Sequence, residues 1–215
     1  AINASLAGVI RTAYSHNLHI LGMRNGIQGF LEGRVVDLTQ ALNLTSSPHT
    51  AKQNLRLLRN TPSSWLGSCR FKLPEPDENP SFYQRITARV DKLGIDAILY
   101  IGGNDSMDTT DKLSRYFTHT DIDVPVIGIP KTIDNDLEGT DHTPGFGSAA
   151  RFVATVTAEL TRDGGVYDTK NVTFIEAMGR EAGWLTAAGA LAGDICGTAP
   201  DFVLLPEVPL DEEVL

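Results

Sequence analysis

The sequence predicts an α/β protein built from mainly parallel sheets with flanking helices. Segments with apolar residues at helical spacing alternate with short apolar runs, as expected when helices connect the parallel strands of a sheet. The run 95–101, for example, is almost continuously apolar, which is typical of a strand covered on both faces. Ligands bind such sheets at the carboxyl ends of the strands, so the loops after Ile101, Ile129 and Glu176 are the first candidates for a functional site.

Each element is predicted from its hydrophobic period and from the Gly, Pro or polar residues that bound it. The chain opens inside a helix, because Ile2, Leu6, Val9 and Ala13 share one helical face. The other predicted helices are 51–58, 82–93, 106–117, 152–160 and 183–192, and residues 211–215 predict the start of one more. The predicted strands are 18–23, 35–38, 95–101, 124–129, 172–176 and 202–205.

Two stretches lack either period and predict loops. The first is the proline-rich segment 72–80, and the second is 141–147, where we place a domain boundary between 1–144 and 145–215. A sheet of this type usually begins with a strand, whereas this chain begins in mid-helix. We therefore expect a chain that is incomplete at both ends.

Composition excludes several classes of function. The 215 residues carry a formal net charge of −9, which argues against nucleic-acid and anionic-membrane partners, because both need basic patches. No apolar run predicts a membrane span or a secretory signal, so we expect a cytoplasmic enzyme. The two cysteines, Cys69 and Cys196, have no metal or redox spacing and predict small, buried or half-buried side chains.

The loop Gly102-Gly103-Asn104-Asp105-Ser106 follows the first buried strand. Two glycines allow a tight turn and a close approach of backbone to ligand, and the helix that follows offers free N–H groups to a phosphate. A glycine turn with an Asn or Ser cap is an equally good interpretation of this loop when it is taken alone.

The loop Pro130-Lys131-Thr132-Ile133-Asp134-Asn135-Asp136 ends the next buried strand. It gathers a cation, a hydroxyl group and two carboxylates, which are the groups that phosphoryl transfer needs. A solvated turn is the alternative, since Asn and Asp are common in turns. The position at the carboxyl end of a strand favours the functional interpretation.

Two further loops carry single arginines, Arg180 in 176–183 and Arg70 in 66–71. Alone, each would be interpreted as a structural or solvated turn. Together the four loops, in this order and at these intervals, resemble the 6-phosphofructokinase family over essentially the whole chain. The matching motifs are P-[GK]-T-I-D-N-D at 130–136, G-G-D-x-S at 102–106, M-G-R at 178–180 and G-S-x-R at 67–70, and Asn3-Ala4-Ser5 resembles the residues that follow the family's first glycine-rich loop.

The resemblance implies a Rossmann-like, phosphofructokinase-type fold and a role for each matched residue. Residues 1–144 would form the donor-binding domain, and 145–215 would begin the sugar-phosphate-binding domain. Asp134 would be the general base that takes the proton from the 1-hydroxyl of fructose 6-phosphate, assisted by Asp136. Thr132 would contact the transferred phosphoryl group, and Lys131 would add a cation beside it. Arg70 and Arg180 would neutralise charge on this group and its donor, Met178 and Gly179 would line the sugar pocket, and Gly102, Gly103, Asn104, Asp105 and Ser106 would hold the donor.

Two positions favour pyrophosphate over ATP as the donor. Members of the family that use ATP usually have Gly where Asp105 and Lys131 stand, whereas members that use pyrophosphate tend to have Asp and Lys. A carboxylate about 4 Å from the α-phosphate of ATP would repel it by about 4 kcal/mol at an effective dielectric of ~20. An ATP-dependent 6-phosphofructokinase is the alternative within the family.

The chain also departs from the family pattern. Asn104 stands where the family usually has an Asp associated with Mg²⁺, so Asn104 and Asp105 are the metal ligands that the resemblance implies. Asn171 stands near where many bacterial members have an Arg that a neighbouring subunit uses, although a homo-oligomer is still implied. A degenerate paralogue that binds sugar phosphate without turnover is a second alternative, and Asp134 and Asp136 argue against it. A dinucleotide-binding oxidoreductase lacks its G-x-G-x-x-G signature here.

Overall fold

A computed structural model describes residues 1–210 of the chain, which divide into two compact units. The first unit is Ala1–Pro130, and the second begins at Lys131. The helix start predicted over 211–215 lies outside the described residues. Within those described residues, no helix is both long and apolar enough to cross a bilayer.

The first unit contains most of the predicted elements and the strands on which the candidate site depends. Its helices are α1 (Ile2–Ser15), α2 (Gly26–Glu32), α3 (Leu38–Ala41), α4 (Pro48–Asn60), α5 (Pro80–Leu93) and α6 (Asn104–His119). Its strands are β1 (Leu21–Met23), β2 (Val35–Asp37), β3 (Ile98–Gly102) and β4 (Val126–Pro130). The α/β class predicted from the sequence is confirmed.

The two strands that were predicted to be buried form a parallel pair, as predicted, but they are not covered on both faces, because Leu99 and Ile127 are exposed. β3 and β4 run in register from Ile98 opposite Val126 to Gly102 opposite Pro130, and α6 connects them. Both carboxyl ends therefore lie side by side at one edge of the pair. The pair β1–β2 is antiparallel, with Leu21 opposite Asp37, so the unit is not parallel throughout.

Two hydrophobic cores hold the first unit together. One packs α1 against α4 and includes Leu6, Ile10 and Leu58. The other packs α2, α5 and α6 around fully buried aromatic side chains, among them Phe30, Tyr83 and Phe117. Since a helix is stabilised mainly by the burial of its apolar face, these clusters explain why the predicted stripes became helices.

The second unit packs three helices made mostly of small residues. They are α7 (Phe146–Gly164), α8 (Trp184–Ala188) and α9 (Ala192–Cys196), with a 3-10 turn at Gly189–Leu191 between the last two. Ala154, Ala158 and Ala192 are buried there, and a β-carbon on Gly189 would lie 3.6 Å from Thr157 Oγ1. The single helix predicted over 183–192 is therefore wrong in detail, because Gly189 and Gly193 favour a break in the helix.

The two strands predicted in the second unit are also wrong. Residues 172–176 and 202–205 are neither helix nor strand, and no ladder partner lies beside them in the part of the chain that the structure describes. Most of their apolar side chains are exposed, and Phe174 is 92% accessible to solvent. A strand needs a hydrogen-bonded neighbour, so an apolar run without one does not form a strand.

Candidate functional site

The loop after β3 is shaped so that the backbone turns directly into α6. A β-carbon on Gly102 would lie 2.0 Å from Ser106 Oγ, so no larger residue fits there while Ser106 holds its place. Gly103 caps the helix through its carbonyl oxygen, which accepts hydrogen bonds from the N–H groups of Ser106 (2.9 Å) and Met107 (3.0 Å). The first turn of α6 therefore presents its amide groups and its positive dipole end at the edge of the sheet.

Asp105 lies in that first turn, and its side chain is 76% exposed. Its Oδ1 is 3.6 Å from Nζ of Lys72, which is 78% exposed. Exposed pairs of this kind contribute at most about 1 kcal/mol. The same exposure lowers the expected repulsion between Asp105 and a nucleotide phosphate from about 4 kcal/mol toward 1 kcal/mol, since the surroundings resemble water more than protein.

The loop that carries Arg70 is held by a residue that sequence reasoning did not single out. Asn25 adopts a left-handed conformation (φ 57°) and donates its backbone N–H to the Leu66 carbonyl (2.8 Å) and its Nδ2 to the Ser68 carbonyl (3.1 Å). A β-carbon on Gly67 would lie 2.6 Å from Asn25 Nδ2. Asn25 thus fixes the backbone just before Arg70, whose side chain is exposed.

The segment after Arg70 is tied to α6 by a second unpredicted residue, Lys112. Its ammonium group lies 2.9 Å from Asp108 Oδ2, 3.1 Å from Glu75 Oε1 and 3.1 Å from the Leu73 carbonyl oxygen. The hydrogen bonds to Asp108 and Glu75 raise the pKa of Lys112 above its usual range, so it is charged. Tyr83 adds a hydrogen bond of 2.7 Å from its hydroxyl to the Pro74 carbonyl.

In the second unit, the loop after β4 is organised by its own side chains. Asp134 donates its backbone N–H to Thr132 Oγ1 (3.0 Å). Asn135, at φ 58°, accepts from the Thr143 N–H (2.9 Å) and donates to the Asp141 carbonyl (3.1 Å). Thr143 in turn donates its hydroxyl to the Thr132 carbonyl (2.8 Å). Asn135 therefore supports the loop by joining its two ends.

The carboxylate of Asp134 is the most unusual group in this loop. Its Oδ1 is buried and makes no hydrogen bond to any described residue. A β-carbon on Gly179 would lie 4.0 Å from this oxygen and only 2.2 Å from the Ala182 carbonyl oxygen, and Gly179 has φ 117°. The structure therefore brings Asp134 and Gly179 together, and it requires glycine at the point of approach. A buried acceptor without a partner is costly, and such groups are concentrated at functional positions.

The remaining predicted residues are placed at or near the surface. Arg180 is 93% exposed, with its Nε 3.8 Å from Glu181 Oε1, and Met178 is also exposed. Asp136 is exposed and Lys131 is half-buried. Asp105 belongs to the first unit and Lys131 to the second, so their joint action on a donor stays a prediction.

One further acidic residue was missed by the sequence reasoning. Glu207 accepts a hydrogen bond from the backbone N–H of Gly183 (2.7 Å), and a β-carbon on Gly183 would lie 2.6 Å from Glu207 Oε2. Glu207 thus satisfies an amide group at the start of α8. Its position just after the apolar run 202–205 was the available signal, because the loops after such runs were the candidates for sites.

The metal ligands implied at Asn104 and Asp105 are compatible with a site completed by substrate. Among residues 1–210, no group of three or more His, Cys, Asp or Glu is placed to hold a metal ion. Magnesium usually takes only one or two carboxylates from the protein, and the phosphates of the substrate and water supply its other ligands. The exposed carboxylate of Asp105, beside the amide groups of α6, fits that requirement.

Comparison with known proteins gives the family. The sequence pattern described as "Phosphofructokinase" matches residues 1–215. The chain belongs to the phosphofructokinase family. The family assignment that the sequence motifs favoured is therefore confirmed, and the parallel pair β3–β4 is part of the fold of this family member.

Relatives within the phosphofructokinase family differ in the donor that their names give. The chain is 41% identical over 213 residues to a pyrophosphate–fructose 6-phosphate 1-phosphotransferase of Xanthomonas campestris, covering 98% of this chain and 49% of the relative. It is 32% identical to an ATP-dependent 6-phosphofructokinase of Buchnera aphidicola, covering 100% of this chain and 58% of that protein.

A solved structure from the same family also matches this chain closely. The crystal structure of a pyrophosphate-dependent phosphofructokinase from Marinobacter aquaeolei superposes with a TM-score of 0.81 at 38% identity, covering 99% of this chain and 51% of that one. The chain thus spans about half the length of the pyrophosphate-named relatives that it matches.

Proposed function

We propose that the intact gene product carrying these residues transfers a phosphoryl group from pyrophosphate to the 1-hydroxyl of fructose 6-phosphate. The hydroxyl oxygen forms a bond to phosphorus as the bridging P–O bond of pyrophosphate breaks, and the products are fructose 1,6-bisphosphate and phosphate. The observation that carries the chemistry is the buried, unpartnered Oδ1 of Asp134. An acceptor oxygen that the fold leaves unsatisfied is available for the proton of a substrate hydroxyl.

The other residues would position and stabilise the reacting groups. Thr132, which holds the Asp134 backbone, would also contact the transferred phosphoryl group. Lys131, Arg70 and Arg180 would neutralise its charge, which is the main task of a protein in phosphoryl transfer. Asp136 would assist the base, and Met178 and Gly179 would line the sugar pocket beside Asp134.

The donor would bind at the loop after β3. Gly102, Gly103 and Ser106 form the turn that brings the amide groups of α6 to a phosphate. Asn104 and Asp105 would hold Mg²⁺ together with the donor. The ion supplies neutralisation of the phosphate charge when it is bound.

The choice of pyrophosphate rests on Asp105 and Lys131, and it agrees with the names of the relatives at about 40% identity. A short donor would end before the position at which Asp105 repels a nucleotide. An ATP-dependent enzyme remains the second candidate, because an ATP-named relative is 32% identical over the whole chain. A binding-only paralogue would not need the costly carboxylate of Asp134.

A coupled assay of fructose 1,6-bisphosphate formation by the intact gene product tests the proposal. We expect turnover with pyrophosphate and at least tenfold lower kcat/KM with ATP, which corresponds to about 1.4 kcal/mol of discrimination. Turnover with ATP and none with pyrophosphate would reject the donor but keep the reaction.

A paired substitution tests the donor residues directly. Asp105→Gly combined with Lys131→Gly should lower pyrophosphate use and begin to admit ATP, because it removes both charges that separate the donors. An unchanged ratio of the two kcat/KM values would show that other residues select the donor.

Location and assembly are parts of the same proposal. We propose a cytoplasmic homo-oligomer that acts on small phosphates and binds neither nucleic acid nor membrane. The net charge of −9 and the family support this, and light scattering of the purified protein would measure the assembly.

A further inference from the structure

The segment 70–73 alternates apolar side chains that pack on the first unit with charged side chains, although Phe71 itself is 36% exposed. Phe71 stacks on Phe82, with ring centroids 5.7 Å apart and planes at 14°, and Leu73 is buried. Arg70 and Lys72, the intervening residues, are exposed. The packing of the two apolar residues therefore presents the two cations away from the core.

This presentation is rigidly anchored to α6. Lys112, which is itself buried, holds the Leu73 carbonyl at 3.1 Å and is paired with Asp108 of α6 at 2.9 Å. The anchor fixes the backbone one residue beyond Lys72 to the helix whose first turn carries Asp105. A flexible lysine is thereby kept within reach of one particular carboxylate, with Lys72 Nζ 3.6 Å from Asp105 Oδ1.

Asp105 creates a problem that the pair with Lys72 can solve. A carboxylate at a helix N-terminus offsets part of the positive end of the helix dipole, so its charge weakens the attraction of α6 for the phosphates of any donor. Among the ion pairs of residues 1–210, Lys72 is the cation that contacts Asp105. In a pyrophosphate-specific site, Asp105 must repel the α-phosphate of a nucleotide without weakening the binding of pyrophosphate.

We propose that Lys72 is a specificity-determining residue that acts through Asp105. Its ammonium group neutralises the carboxylate beside the donor loop, so that pyrophosphate binds there while Asp105 still occupies the space that a nucleotide would need. Lys72 is thus a positioning and charge-balancing residue, not one that touches the transferred phosphoryl group. This inference rests on the proposed pyrophosphate-dependent function.

Steady-state kinetics of five variants of the intact gene product test the role of Lys72. Lys72→Met should raise KM for pyrophosphate up to about fivefold, because an exposed ion pair contributes at most about 1 kcal/mol, while kcat and KM for fructose 6-phosphate change less than twofold. Lys72→Arg keeps the charge and should stay within about twofold of the unsubstituted protein. Lys52→Met, which removes an exposed lysine from α4, is the matched control and should have no effect.

The last two variants, Asp105→Asn with and without Lys72→Met, distinguish a role through Asp105 from direct binding of the donor. In the Asp105→Asn background there is no carboxylate charge to neutralise, so adding Lys72→Met should raise KM for pyrophosphate less than twofold. A fivefold effect that persists in this background would overturn the inference, as would Lys72→Met with an unchanged KM or an equal effect of Lys52→Met.

The failure of this inference is distinguishable from that of the proposed function. If the unsubstituted protein does not use pyrophosphate at all, both are overturned. If it does use pyrophosphate but Lys72→Met behaves as the unsubstituted protein does, only the role of Lys72 is rejected.

Discussion

Replacing Asp134 by Asn should lower activity strongly while stability stays the same or rises. Asn has almost the same shape as Asp, so the hydrogen bond from the Asp134 backbone to Thr132 Oγ1 should survive. The substitution removes the ability of the side chain to accept a proton at the buried, unpartnered Oδ1. If Asp134 were needed for packing, the substitution would lower activity and stability together. If it is needed for chemistry, only activity should fall.

The two magnitudes follow from the structure. A positioned general base contributes about 10²- to 10⁴-fold to rate, so kcat should fall by a similar factor, or about 3–5 kcal/mol in the activation free energy. An unpartnered buried acceptor costs about 1–3 kcal/mol, and Asp134 as a whole is only half-buried. We therefore expect the free energy of unfolding to stay within about 1 kcal/mol of the unsubstituted value, or to rise.

The assay combines fructose 1,6-bisphosphate formation with urea denaturation of the same preparation. Glu138→Gln is the matched control, because it removes an exposed carboxylate from the same loop and should change neither quantity. Retention of more than a tenth of kcat in Asp134→Asn would refute the assignment of the base. A loss of more than about 1 kcal/mol of stability would show that Asp134 supports the fold.

Substitutions at three further positions test the structure of the two units. Gly179→Ala forces a β-carbon to within 2.2 Å of the Ala182 carbonyl oxygen at φ 117°, so we expect a loss of at least ~2 kcal/mol by urea denaturation together with a raised KM for the sugar; an unchanged protein would contradict the loop conformation. Asn135→Ala removes two hydrogen bonds and should lower the free energy of unfolding by about 2–4 kcal/mol. Asn135→Gly should lower it less, because glycine tolerates φ 58°. Equal losses in the two variants would show that the backbone conformation matters little. Burial raises the pKa of Tyr83 to about 12, so the folded state binds more protons than the unfolded state above pH 10, and the free energy of unfolding should fall between pH 10 and 12 by up to about 2 kcal/mol. Tyr83→Phe should remove this part of the alkaline loss of stability, as measured by thermal denaturation. A second part should persist in that variant, because burial also raises the pKa of Tyr100 to about 12.

The sequence predicted the elements whose signal is local. The apolar run before Gly102 gave a strand at the predicted place, although β3 begins at Ile98 instead of Ile95. The reason is the end of α5, where Gly94 is left-handed and the N–H of Ile95 still bonds to the Val90 carbonyl at 3.1 Å. The short helices α2 and α3 have no long apolar period, so no pattern announced them.

The site was predictable where a motif carries the chemistry and not where distant residues support it. Asp134 was named from its motif, and the structure leaves its oxygen unpartnered. Lys72 was noted only as part of a loop, because its contact with Asp105 joins residues far apart in the chain. Asn25 and Lys112 act through carbonyl oxygens, which no side-chain pattern reveals.

The short-range hydrogen bonds of Thr132, Asn135 and Thr143 affect how this loop can evolve. All three bonds that join these residues to each other or to Asp141 span eleven residues or fewer, so little chain entropy is lost in closing them. Such a short-range motif can form early in folding and can be transplanted with few compensating changes. Variation in other loops can then accumulate without disturbing the backbone around Asp134, the proposed proton acceptor.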